Sequence, residues 1–158
     1  MEWISPVSTA LGAVIGVGST LLAERLRWRR DRITQAHATR QQLYADYSAS
    51  LSRMRTALSE YAHAVQPVEE RARRVRELFL APGAYELRHQ LAILAPLEVI
   101  DAAQAAFLVL RETRDCLVAG ADADSASYRE LDEAFDGAIG RLRAVMRRDL
   151  GVSDHVVR

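Results

Sequence analysis

A chain of 158 residues, less an apolar stretch of about twenty at its start, has length for one domain around a single core, which argues against a second. Basic and acidic residues balance at 21 each, so the molecule as a whole carries no field that would draw it onto nucleic acid or an acidic substrate. The single cysteine, Cys116, excludes an intramolecular disulfide framework and is compatible with a reduced, cytoplasmic setting.

From Trp3 to Ala23 no residue is charged. A helix over this run spans roughly 30 Å, the thickness of a bilayer's hydrocarbon core. Ser5 and Pro6 suit its N-cap and first turn. Trp3 suits the headgroup level. Glu2 precedes the run, whereas Arg25, Arg27, Arg29, Arg30 and Arg32 follow it. Positive residues stay on the cytoplasmic side, so the expectation is a single-pass span with its N-terminus out and the rest of the chain in the cytoplasm. Cleavage as a secretory signal is not expected, because Met1 and Glu2 offer no basic side chain before the run.

Small residues recur every fourth position at Ser8, Gly12, Gly16 and Thr20, and Gly12 with Gly16 forms GxxxG. Such a face lets a second helix backbone approach closely and predicts self-association in the membrane. The competing reading is that glycine is common in membrane helices and the spacing is accidental. A buried or disordered apolar tail also stays open as an alternative to a span.

Residues 24–40 are dense in charge and contain no proline or glycine, so the helix is expected to continue as a stalk. Its arginines either hold anionic headgroups or only enforce topology. From Tyr47 the apolar residues fall into a three-four rhythm through Leu51, Met54, Leu58, Tyr61 and Val65, and Pro67 ends that helix. Val68, Ala72, Val75 and Phe79 begin a second helix. It is kinked or briefly broken at Pro82-Gly83 and continues through Leu87, Leu91 and Leu94. Pro96 opens a third helix carrying Ile100, Ala103, Phe107, Leu110 and Leu117, and Gly120 terminates it.

Ser127 and Glu130 form a capping box at the start of a fourth helix, with Tyr128, Leu131, Phe135, Ala138, Leu142 and Val145 on its seam. Gly151 stops it, and Arg147 and Arg148 suit its C-terminal dipole. The helices are expected to have similar lengths, about 35 to 40 Å, with short connections that make neighbours antiparallel. The fold class is therefore all-α: an N-terminal transmembrane helix (1–23), an arginine-rich stalk (24–40), an antiparallel four-helix bundle (41–151) and a tail (152–158). No sheet is expected.

One constellation invites metal chemistry: Glu60 with His63, and Glu86 with His89, repeat the Glu-x-x-His pattern of di-iron bundles, with Glu98, Glu112, Glu130 and Glu133 as further carboxylates. Helix rise argues against it, placing Glu60 about 10 Å and Glu86 nearly 30 Å from the turn at Pro67. No metal or other cofactor is expected. His37 and His155 are isolated, and Cys116 reads as a packing residue unless a histidine approaches it. Phosphate loops, zinc spacings and nucleophile elbows are absent from the sequence. Arg71, Arg73, Arg74 and Arg76 are mixed with Glu69, Glu70 and Glu77, which reads as a solvated face with pairs at 69–73 and 70–74, not a nucleic-acid surface.

The segments GAVIGVGSTLLAERLRWRRDR (Gly12–Arg32), LAPLEVIDAA (Leu94–Ala103) and RRDLG (Arg147–Gly151) together resemble a group of small actinobacterial membrane-anchored helical proteins, some described as KilB-like plasmid-spread proteins. The resemblance implies a bacterial inner-membrane protein and carries over no catalytic residue. The leading functional expectation is a membrane-tethered, non-enzymatic module that meets the lipid bilayer and either itself or a protein partner. The alternatives are a bundle that senses or acts on a small ligand or metal, and a plasmid-transfer or membrane-defence component.

Overall fold

The computed structural model describes residues 4–64 and 68–152, with side chains from 34 onward except at 68. The chain divides into two compact units, Met1–Thr39 and Arg40–Arg158. Helix α1, Ile4–His63, begins in the first and ends in the second. In the first unit, side chains 34–39 are exposed, and Thr39 Oγ1 donates to the Gln35 carbonyl at 2.9 Å. Among the described residues no helix is long and apolar enough to cross a membrane. The run Trp3–Ala23, the small-residue face Ser8, Gly12, Gly16 and Thr20, and the arginines from Arg25 to Arg32 all lie outside the residues whose side chains are described.

The second unit is a helical bundle. After α1 come a 3-10 turn at Val68–Glu70, α2 at Arg71–Leu80, α3 at Ala84–Leu94, α4 at Leu97–Val118 and α5 at Ala126–Asp149. No strand occurs among the described residues. Helices α2 and α3 together make one descending leg, so the plan is up, down, up, down. Four contacts mark it: Arg40 meets Asp149 at one end, Ser50 meets Pro82 midway, Tyr47 reaches Ala103, and the Ala123 N–H donates to the Ala62 carbonyl at the other end.

The core follows the apolar rhythm closely on α1. Tyr47, Leu51, Met54, Leu58 and Tyr61 are all buried, and the buried face starts earlier than expected, at Leu43 and Tyr44. Val65 and Pro67 lie outside the described residues. At Pro82-Gly83 the short break is realised. Gly83 adopts φ +73°, a left-handed conformation costly for any residue with a Cβ, and caps α3. The break shortens α2 and α3 to about 15 and 17 Å, so the expected equal helix lengths are not found. Phe79 of α2, Tyr85 of α3 and Phe107 of α4 pack around the break with centroids 5.0 to 6.1 Å apart, Tyr85 edge to face with each phenylalanine and the two phenylalanines tilted, and hold both halves of the leg against α4.

Helix α4 buries Val99, Ala103, Ala106, Phe107, Leu110, Thr113 and Leu117, with Val99 taking the inward place expected of Ile100. Gly120, at φ +111°, ends it. Its N–H bonds the Leu117 carbonyl and that of Ala121 bonds Cys116, the paired closure of a Schellman motif. The capping box at Ser127 and Glu130 does not form. The Ser125 Oγ donates to the Asp122 carbonyl at 2.6 Å, and the tight turn this closes starts the helix at Ala126, which puts Ser127 inside the first turn. On α5, Ile139 and Met146 are buried where Leu131 and Val145 are only half-buried, because the true helical repeat of 3.6 drifts off a strict heptad.

Candidate interaction surfaces

One end of the bundle gathers the start of α4, the ends of α3 and α5, and Arg40, where the second unit begins. Arg40 Nη1 lies 3.3 Å from both carboxylate oxygens of Asp149. The Tyr44 hydroxyl donates to Asp149 Oδ2 at 2.7 Å. Burial, reinforced by that hydrogen bond and by the charge of Asp149, pushes the Tyr44 hydroxyl well above the ordinary tyrosine range. Beside this clasp, Arg148 Nη1 reaches Glu98 Oε2 at 3.4 Å across exposed surface.

The α3–α4 turn at this end is apolar throughout, from Ile93 to Leu97. Leu94, expected on the core face, is 44% exposed, while Ile93 and Leu97 stand out at 81% and 70%. The helical spacing explains it: Leu91 and Val99 take the inward positions, which leaves the side chains between them turned outward among the described residues. Ile93 and Leu97 stand off the helical rhythm of the core, and the signal that points to them is the unbroken apolar run from Ile93 to Leu97 across a helix junction.

The metal candidates do not come together. Glu60 and His63 lie toward the far end of α1, where the His63 Nδ1 is 2.8 Å from the Ser59 carbonyl. Glu86 and His89 lie on α3, and all four side chains are exposed. Among the described residues no cluster of three or more His, Cys, Asp or Glu side chains is placed to hold a metal ion. Cys116 Sγ lies 3.3 Å from Ser127 Oγ.

A cleft of about 250 Å³ lies between α2 and α4, lined by Arg76, Phe79, Leu80, Arg114, Asp115 and Val118. Arg114 is engaged within it, stacked 4.8 Å above the Phe79 ring and paired with Asp115 at 2.7 Å. No glutamate or histidine lines it. On the outer face of α2, Arg73 pairs with Glu70 and Glu77, and Arg74 with Glu77, so the expected 69–73 and 70–74 pairs give way to others on a solvated face of mixed sign. Comparison of the chain with family models, with curated proteins and with solved structures finds no match.

Proposed function

We propose that this chain is a membrane-tethered helical interaction module, anchored in a bacterial inner membrane by Trp3–Ala23 and presenting its bundle to the cytoplasm. The carrying observation is the asymmetry of the sequence: an uncharged run preceded by Glu2 and followed by five arginines between Arg25 and Arg32. The bundle adds support of a different kind. Its core is closed by aliphatic and aromatic side chains, so its chemistry lies on its surfaces. The face Ser8, Gly12, Gly16 and Thr20 gives the anchor a means of self-association. Chemical crosslinking in membranes is expected to trap dimers or a protein partner, and Gly12→Leu with Gly16→Leu to reduce the dimer. Monomer alone, with no copurifying protein, would count against the module.

A second reading, a bundle acting on a small ligand, is favoured by the Arg76–Arg114 cleft. An anionic ligand whose affinity depends on Arg76 would turn the account toward it. A role in plasmid transfer or membrane defence rests on the resemblance alone.

A further inference from the structure

The turn from Ile93 to Leu97 is built, not loose. The Ala95 N–H bonds the Leu91 carbonyl at 2.9 Å, and the N–H groups of Val99 and Ile100 bond that of Pro96 at 3.0 and 3.1 Å. Leu91 and Val99 lock its two sides into the core. What it presents outward is an exposed aliphatic tip of Ile93, Leu94 and Leu97. Such a tip fits a deformable apolar phase, whereas a groove-binding partner would need a matching concavity. Three side chains are also a small part of the roughly 1,200 Å² that a stable contact with a second copy requires.

The position of the tip selects the phase. Leu97 is followed by Glu98, Glu98 meets Arg148, and the next residue, Asp149, grips Arg40, the first residue of the second unit. The tip and the point where the chain enters the bundle therefore share one end. Arg40 lies only seventeen positions after Ala23. If Ala23 marks the membrane boundary, Arg40 stays within about 60 Å of it even when the chain is fully extended, and within about 25 Å when helical. Tethering at that range raises the local concentration of bilayer enough for a small apolar tip to engage it.

We infer that the Ile93–Leu97 turn dips into the interfacial layer of the same bilayer that holds the N-terminal run, giving the bundle a second, reversible membrane contact. This rests on the anchor reading above.

The test uses the full chain in vesicles of phosphatidylethanolamine and phosphatidylglycerol. With Cys116→Ser as background, Ile93→Cys is labelled with an environment-sensitive fluorophore, and Asp122→Cys, at the opposite end of the bundle, serves as control. Both positions are exposed, so neither label disturbs the core. The expected result is a blue-shifted emission at 93 that brominated lipids quench several-fold more than emission at 122. Adding Leu97→Ser should reduce that quenching without changing thermal unfolding. If the chain resists carbonate extraction but the probe at 93 stays water-like, the inference is overturned and the anchor stands. A blue shift that brominated lipid does not quench, accompanied by crosslinking between probes on two copies, assigns the tip to a second chain and also overturns it. Release by carbonate sinks the anchor reading, and the inference with it.

Discussion

Arg40 and Asp149 are 109 positions apart in sequence and 3.3 Å apart in space, tying the first helix of the bundle to the end of the last. Their side chains are 24% and 15% exposed, and the carboxylate also accepts the Tyr44 hydroxyl. Removing the carboxylate strands both donors in partly buried surroundings. Asp149→Ala is therefore expected to cost about 2 kcal/mol, and Tyr44→Phe, which leaves the ion pair intact, about 1 kcal/mol, in urea unfolding followed by circular dichroism. Equal and negligible losses would show that the clasp is not formed.

The tyrosines predict alkaline behaviour. Burial pushes the Tyr47 hydroxyl from its ordinary 10.0 to about 12, and the hydroxyl donates to the Ala103 carbonyl at 3.2 Å. Between those values the unfolded chain has lost the proton and the folded chain still binds it, so stability falls as pH rises through that window and is fully present below it. Tyr44, raised in the same direction, adds to the slope. Stability measured from pH 10 to 12 should fall less steeply in Tyr47→Phe than in the parent chain, whatever the variant's stability at neutral pH.

Arg55 on α1 holds Asp132 on α5 through two bonds of 2.8 and 2.9 Å, with Asp136 at 3.4 Å. The geometry is bidentate, but Arg55 and Asp132 are each 36% exposed, and solvent screens much of the attraction. A double-mutant cycle of Arg55→Met and Asp132→Asn should return a coupling of about 0.5 to 1 kcal/mol that shrinks with added salt. A coupling insensitive to salt would mean the pair is more buried than it is here.

At the break between α2 and α3, Ser50 is fully buried and its Oγ donates to the Pro82 carbonyl at 2.7 Å. Ser50→Ala leaves that carbonyl without its side-chain donor and should cost about 1 to 3 kcal/mol. Gly83→Ala meets only the Glu86 carboxylate at 3.7 Å, so its loss, about 1 to 2 kcal/mol, comes from the left-handed backbone alone. Thermal unfolding of the two variants checks both values.

The Tyr61 hydroxyl is buried and has no hydrogen-bond partner among the described residues. Tyr61→Phe removes an unsatisfied polar atom and keeps the ring, so it should be neutral or stabilising by up to about 1 kcal/mol. A clear destabilisation would reveal a partner for that hydroxyl.

What the sequence shows of this bundle is what local periodicity encodes. The stripe from Tyr47 to Tyr61, the break at Pro82-Gly83 and the stop at Gly120 are each set by a few neighbouring residues, and the structure contains them. The start of α5 at Ala126 differs from the capping-box expectation at Ser127 because the Ser125–Asp122 turn, a contact outside that motif, sets it. Leu94 fits the helical rhythm, yet which side of the α3–α4 turn faces the core depends on where α4 lies. The Arg40–Asp149 clasp joins residues too distant to leave any periodic signal. The Glu60–His63 and Glu86–His89 pairs repeat a pattern whose chemistry needs convergence across helices, and the fold does not bring them together.

Protease accessibility of the carbonate-washed membrane fraction tests whether the chain is anchored with its bundle in the cytoplasm. The chain is expected to stay with the membranes, and its bundle to be digested in inverted vesicles and protected in right-side-out ones. A chain recovered in the carbonate supernatant, or digested only in right-side-out vesicles, would contradict this arrangement.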